Sequence, residues 1–300
     1  MTGVPRGTSL DAAVPAPVDA DEARRARRAQ VERVAKWLLP VAVLALSLWY
    51  WDRIVVWNAI PEYQLPGPGV VLRTLVEDWG ILSSALLVTL QITLMALAVA
   101  VVGGVGLAVL FTQSRLAEMC LYPYAVILQV TPVVAIAPLI FIYVDDVNLG
   151  LFTVSGRIIG LLLCAWIVAF FPILANTTLG LKSADHNLAD LMTIYRASRW
   201  QRLRFLQLPT ALPYFLGGLR IAGGLSLIGA VVAEYVAGTG GIGSGLAFRI
   251  LEAGYRLNIP RMFAALLLIA ATGVVIFAAL SLLSHLMLRR WHESALSRER

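Results

Sequence analysis

Side chains able to do chemistry are sparse in this 300-residue chain, and they do not gather. His186, His285 and His292 are scattered, so neither a metal-ligand spacing nor a nucleophile-base pair is visible. Lys36 and Lys182 are the only lysines, and neither stands in the Gly-x-x-x-x-Gly-Lys-Ser/Thr loop that cradles nucleotide phosphates. Cys120 and Cys164 fall in or beside apolar runs without the spacing of a redox or metal motif, and read as reduced packing residues. The expectation is no catalytic residue, no metal and no cofactor. The ionisable residues that need explaining are Arg220 and Glu234, because each interrupts a long apolar stretch where charge is costly. Either they line a polar path with Gln129, Thr131 and Ser226, or Arg220 holds a neighbouring helix or snorkels inward while Glu234 reaches an outer interface.

The elements that would position these residues follow from composition. The chain is 59% hydrophobic and 14% charged, with a mean hydropathy of +0.79, whereas soluble domains carry about 25% charged residues. Uncharged runs at Trp79–Ser114, Met119–Val144, Ile158–Leu181 and Met262–Leu288 each exceed the roughly 18 apolar residues that mark a membrane span. The net charge of +6 does not point to nucleic acid, because the arginines stand at the ends of apolar runs, where they set orientation. Arg24, Arg25, Arg27, Arg28, Arg33 and Lys36 precede the first span, and Arg289, Arg290, Arg298 and Arg300 follow the last. An all-helical, six-span protein with both termini in the cytoplasm is the consistent solution.

Residues 1–36 read as a disordered, basic cytoplasmic tail and residues 37–81 as a first transmembrane helix with an external loop. The first apolar segment comes too late and ends too aromatic for a cleaved signal peptide, so an anchor is expected. Residues 82–288 form the main membrane domain, with spans near 82–111, 118–143, 157–181, 209–236 and 262–288, and residues 289–300 a cytoplasmic tail. Pro123, Pro132 and Pro138 predict a kinked third span. Gly103, Gly104, Gly106, Gly156, Gly160, Gly217, Gly218, Gly223 and Gly224 are read as sites of close helix packing.

Loop 182–208 is polar, basic and amphipathic, and far longer than a connection requires. Leu188, Leu191, Met192 and Tyr195 follow i, i+3, i+4, i+7 spacing and give a short helix one apolar face outside the membrane. Asp185 is placed to cap that helix, and Ser198 to cap a second one bearing Trp200, Leu203 and Leu206, with the hairpin ending at Pro209. The apolar face either docks on a partner, the reading the loop length favours, or packs on the inner surface of the membrane domain.

At this loop the chain resembles the permeases of bacterial ABC importers, whose cytoplasmic loop reads Glu-Ala-Ala, three residues, Gly, nine residues, Ile, any residue, Leu-Pro. Asp190, Leu191 and Met192, then Arg196, then Leu206, then Leu208 and Pro209 keep that spacing with several altered identities. Phe171-Pro-Ile-Leu-Ala-Asn-Thr-Thr-Leu-Gly-Leu-Lys-Ser183, Ala197-Ser-Arg-Trp-Gln201, Leu208-Pro-Thr-Ala-Leu-Pro213, Gly218-Leu-Arg-Ile221 and Gly229-Ala-Val-Val-Ala-Glu234 are similar to the nitrate, taurine and alkanesulfonate branch. The similarity runs from about Leu82 to Leu288.

It implies a type I importer permease in the bacterial plasma membrane, working as two copies with an ATP-binding ABC ATPase subunit and an external solute-binding protein. The implied cargo is a small solute such as nitrate, taurine, another sulfonate or a vitamin precursor. Residues about 185–195 would then be a coupling helix docked in the ATPase, with Arg196, Ser198, Arg199, Trp200, Leu208 and Pro209 beside the contact. Arg196 stands where the family has glycine, so either the turn geometry differs or the two helices join more continuously. The competing class is a carrier or channel driven by an ion gradient without any ATPase.

Overall fold

The computed structural model describes residues 18–148, 150, 153–238 and 244–289. The chain divides into two units at the Ile60 and Pro61 boundary. The first unit is built on one long helix, α1 (Val18–Trp57), of which Leu38–Trp57 is long and apolar enough to span a membrane. Its backbone is already helical at Val18, within a stretch expected to be disordered. That stretch is rich in Ala, Arg and Glu, strong helix formers that need no apolar periodicity to hold a helix. Residues 1–17 and 290–300, which carry the remainder of the expected tails, lie outside the described residues.

The second unit runs α2 (Pro68–Glu77), α3 (Trp79–Gln113), α4 (Arg115–Val130), α5 (Val133–Tyr143), α6 (Gly156–Lys182), α7 (His186–Ile194), α8 (Arg199–Arg202), α9 (Leu208–Ala237), α10 (Leu246–Tyr255) and α11 (Ile259–Leu288). A short antiparallel pair, β1 (Val147–Asn148) with β2 (Thr153–Val154), links α5 to α6. Among the described residues of the whole chain, five helices are long and apolar enough to cross a membrane; α4 and α5, bent by 103°, make a sixth span when taken together. The third span is thus broken rather than kinked, and only Pro132 breaks it, since Pro123 and Pro138 lie inside helices. Thr131 is extended, as a residue before proline prefers, and its hydroxyl donates to the Ile127 carbonyl at 2.7 Å, beside the Thr131 N–H that bonds the same oxygen at 3.1 Å.

The core lies where α6 packs between α3 and α9. The α6 and α9 backbones approach so closely that a Cβ at Gly229 would fall 2.7 Å from the Ala165 Cα, and one at Gly218 would fall 2.7 Å from the Pro172 carbonyl oxygen. Gly104, Gly156, Gly160 and Gly223 also face tight contacts, whereas a Cβ at Gly106, Gly217 or Gly224 would meet nothing within 4 Å in this chain.

Two short helices stand outside the expected spans, α2 in the external loop expected before residue 82 and α10 between the spans expected near 209–236 and 262–288. Pro68 occupies the first turn of α2, where its missing N–H costs nothing, and α10 buries Leu246, Ala247 and Ala253. Asp78, at the junction of α2 and α3, takes two hydrogen bonds from the Arg261 guanidinium, one of 2.8 Å, and so ties that junction to the first turn of α11.

Candidate functional site

The loop between α6 and α9 is a stapled helical hairpin. Asp185 caps α7 by accepting from the Asn187 and Leu188 backbone amides at 2.7 and 3.4 Å. The helix closes in a Schellman turn: the Ala197 N–H donates to the Met192 carbonyl at 2.9 Å and the Arg196 N–H to Thr193 at 3.0 Å, with Arg196 at φ +54°. Arg196 thus keeps the left-handed turn that glycine would favour, and neither alternative expected for it is the one adopted. Ser198 and Gln201 cap α8 reciprocally, Ser198 N–H to Gln201 Oε1 at 2.7 Å and Gln201 N–H to Ser198 Oγ at 3.2 Å. The Arg202 guanidinium donates to Thr193 Oγ1 at 2.8 Å and joins the two arms.

The hairpin does not end at Pro209. From α8 the chain passes through a π turn, Leu203–Gln207, into α9, so that Arg199–Ala237 is one continuous helical stretch. Proline lacks an N–H and its ring presses on the preceding turn; the wider turn, in which the Leu208 N–H reaches the Leu203 carbonyl, accommodates it without a break. At the other arm, the Lys182 ammonium ends α6 in an ion pair with Glu118, a cation placed where the helix dipole favours it.

No residue of α7 is buried. Leu188 and Leu191 are each about half exposed, at 49% and 48%, and Ile194 and Tyr195 are 77% and 78% exposed. The apolar stripe therefore does not pack on the membrane domain. Leu191, Met192 and Tyr195 line a shallow hollow of about 290 Å³ with Ala197, Gln201 and Phe205. Phe205, 64% exposed, was not singled out from the sequence, although it repeats the exposed aromatic character of Trp200, also 64% exposed. Arg199 faces a separate polar hollow shared with Arg202, Thr112 and Gln113, while Asp190 and Leu208 are exposed.

A second feature is an open hollow on the helical bundle, with Val134 and Ile228 of its wall exposed. Gln129 and Thr131 line a cavity of about 380 Å³ between the α4–α5 break and the middle of α6 and α9, walled by Val134, Ile167, Pro172 and Ile228 among others. Arg220, Ser226 and Glu234 do not line it. The Arg220 guanidinium lies 5.8 Å from the centre of the Phe277 ring of α11, holding a neighbouring helix. Ser226 is fully buried and donates to the Gly223 carbonyl at 3.0 Å. Glu234, 3% exposed, accepts from the Ala247 N–H at 3.0 Å, while Thr89 Oγ1 accepts from Leu246 N–H at 2.9 Å, so the two side chains seat the first turn of α10. Helix capping by Glu234 was not legible because α10 was not.

Comparison with known proteins accounts for this architecture. The family model described as binding-protein-dependent transport system inner membrane component matches residues 100–291. The riboflavin transport system permease protein of Chloroflexus aurantiacus is 32% identical over 263 residues, covering 85% of this chain and 90% of its own length. The putative aliphatic sulfonates transport permease protein of Bacillus subtilis is 28% identical over 263 residues, covering 86% of this chain and 87% of its own. The crystal structure of an amino acid ABC transporter superposes with a TM-score of 0.55 at 20% identity, covering 72% of this chain and 97% of that one, a likeness of fold. With a family match over most of its membrane domain and the type I helical arrangement in place, the chain belongs to the inner membrane components of binding-protein-dependent transport systems, and is a membrane-spanning permease of the ABC importer kind.

Proposed function

We propose that this permease is driven by a separate ATP-hydrolysing subunit that takes α7 as its handle. Two copies of the chain form the pathway, both termini face the cytoplasm, and an external binding protein delivers a small solute to the cavity lined by Gln129 and Thr131. The observation that carries this reading is the exposed stripe of Leu188, Leu191, Ile194 and Tyr195 on a helix fixed at both ends by caps. A soluble groove closing on that stripe would bury it as an amphipathic helix is buried in its receptor. The stiff join of α8 to α9 would carry the groove's movement into the bundle. Relatives named for riboflavin and for aliphatic sulfonates support a small solute as the cargo.

Co-purification tests the reading. The chain is co-expressed with candidate ABC ATPase subunits of the same organism, and Leu191→Glu is compared with the unaltered chain. A charge in the centre of the stripe is expected to weaken capture of the ATPase at least about tenfold, the scale of a lost interface anchor. Unchanged stoichiometry would remove α7 from the contact.

A further inference from the structure

We infer that this chain binds one anionic phospholipid at the cytoplasmic end of the groove between α3 and α9, with the phosphate on Arg199 and Arg202 and the first methylenes of an acyl chain in the groove. The inference rests on the reading above that the hairpin faces the cytoplasm, and makes no use of the ATPase contact.

Two hollows of opposite character adjoin there. The deeper one, about 520 Å³, has Thr177 of α6 at its floor and apolar walls that include Val105 of α3 and Leu208, Ala211 and Phe215 of α9. It extends about 10 Å along α9 from Leu208 to Phe215, and Val102 at its rim is 75% exposed. A Cβ at Gly106, which also lines it, would meet nothing within 4 Å, so the missing side chain leaves the groove open. The shallower hollow, about 380 Å³, is lined by Thr112, Gln113, Gln207 and both arginines. Val105 and Gly106 of the groove stand about two helical turns before Thr112 and Gln113 of the polar hollow, and Ala211 stands about one turn beyond Gln207. One face of each helix therefore walls both hollows, apolar at bilayer depth and polar where the helices leave it.

Charge selects the occupant. Among the described residues, none lining either hollow is acidic, and neither arginine takes part in an ion pair. Arg202 spends a donor on Thr193, but a guanidinium carries five. Two such forks beside amide and hydroxyl groups match the oxygens of a phosphate. A soluble phosphate would leave the apolar groove bare, and an acidic protein surface would stop at the headgroups. A phospholipid fills both, and anionic lipids of the cytoplasmic leaflet attract basic segments. The Thr177 hydroxyl, about 7 Å inside the end of α6, has no hydrogen-bond partner in a residue only 2% exposed. That is the depth at which the headgroup layer gives way to hydrocarbon and lipid esters offer acceptors. The groove is distinct from the hollow beside the α4–α5 break, since Thr177 lies on the opposite face of α6 from Val168, which lines that hollow. A second copy seated over that hollow does not cover this groove.

Native mass spectrometry of the purified permease in a delipidating detergent, titrated with dioleoylphosphatidylglycerol, dioleoylphosphatidylcholine or glycerol 3-phosphate, tests the inference. One phosphatidylglycerol per chain is expected to be retained with about tenfold or greater preference over phosphatidylcholine, the scale of a charge-assisted contact, and glycerol 3-phosphate is expected to be lost. Replacing both arginines, Arg199→Gln with Arg202→Gln, should abolish the preference. Gly106→Phe, which fills the groove while leaving the arginines in place, should lower phosphatidylglycerol retention about tenfold, the loss expected when apolar contact is excluded. Equal retention of the two lipids, or full retention by either variant, overturns the inference. Glycerol 3-phosphate held as tightly as the lipid assigns the arginines to a soluble anion and overturns it too, as does a chain that retains no lipid because α1 or a second copy fills the groove. Capture of the ATPase by the unaltered chain and by Leu191→Glu is read separately, so failure of either reading leaves the other standing.

Discussion

Arg196 offers a direct measure of how taut the hairpin is. Its φ of +54° is one an L-residue adopts at a cost of roughly 1–2 kcal/mol, and its side chain is exposed. Glycine would relieve that cost but lose about 0.5–1 kcal/mol through the greater freedom of the unfolded chain. The net effect of Arg196→Gly is therefore a stabilisation of the turn by about 0.5–1 kcal/mol, equivalent to roughly a two- to fivefold smaller population of locally opened hairpin. Hydrogen exchange followed by mass spectrometry, on the permease in nanodiscs, reads this through the Arg196 and Ala197 amides that close the Schellman turn. Their exchange is expected to slow by that factor while the amides in the middle of α6 are unaffected. Arg196→Val should speed exchange, because a β-branched residue fits the left-handed region worse. Faster exchange in the glycine variant would refute the assignment of strain to this residue. Slower exchange accompanied by loss of the ATPase subunit would show that the guanidinium makes a contact of its own.

Two further outcomes follow from the packing. Asp78→Asn removes the charge facing Arg261, whose side chain is only 20% exposed in the pair, and is expected to cost about 1–3 kcal/mol, seen as a lower melting temperature of the detergent-solubilised protein; an unchanged melting temperature would mean the pair is merely decorative. Gly229→Ala should be far worse tolerated than Gly224→Ala, since a Cβ at the first position meets the Ala165 backbone at 2.7 Å and at the second meets nothing within 4 Å. Comparable yields of folded protein for both would contradict the close approach of α6 and α9.

Most of the helical architecture was legible because it depends on quantities that sequence carries directly: apolar length and helical periodicity. The hairpin was legible for the same reason, since Asp185, Ser198 and the spacing of Leu188, Leu191 and Tyr195 are local signals, and the caps at both positions form. What escaped depends on tertiary context. Three prolines in the third span look alike in one dimension, yet only Pro132, preceded by an extended Thr131, interrupts the backbone. The helices α2 and α10 are short, and the glycines and prolines beside them resemble loop punctuation. Arg220 and Glu234 were flagged for their charge, but whether such a group lines a path or serves a neighbouring helix depends on which helix faces it.

The unbroken run from α8 through the π turn into α9 also determines where the molecule can yield. With α6 packed against α9 by close backbone approach at Gly218 and Gly229, those two helices form one tightly packed pair, to which α8 is joined without a break in the helix. Compliance is left to the seam at Thr131 and Pro132, where the ladder of backbone bonds is already open and flexing sacrifices none of it, and that seam borders the cavity.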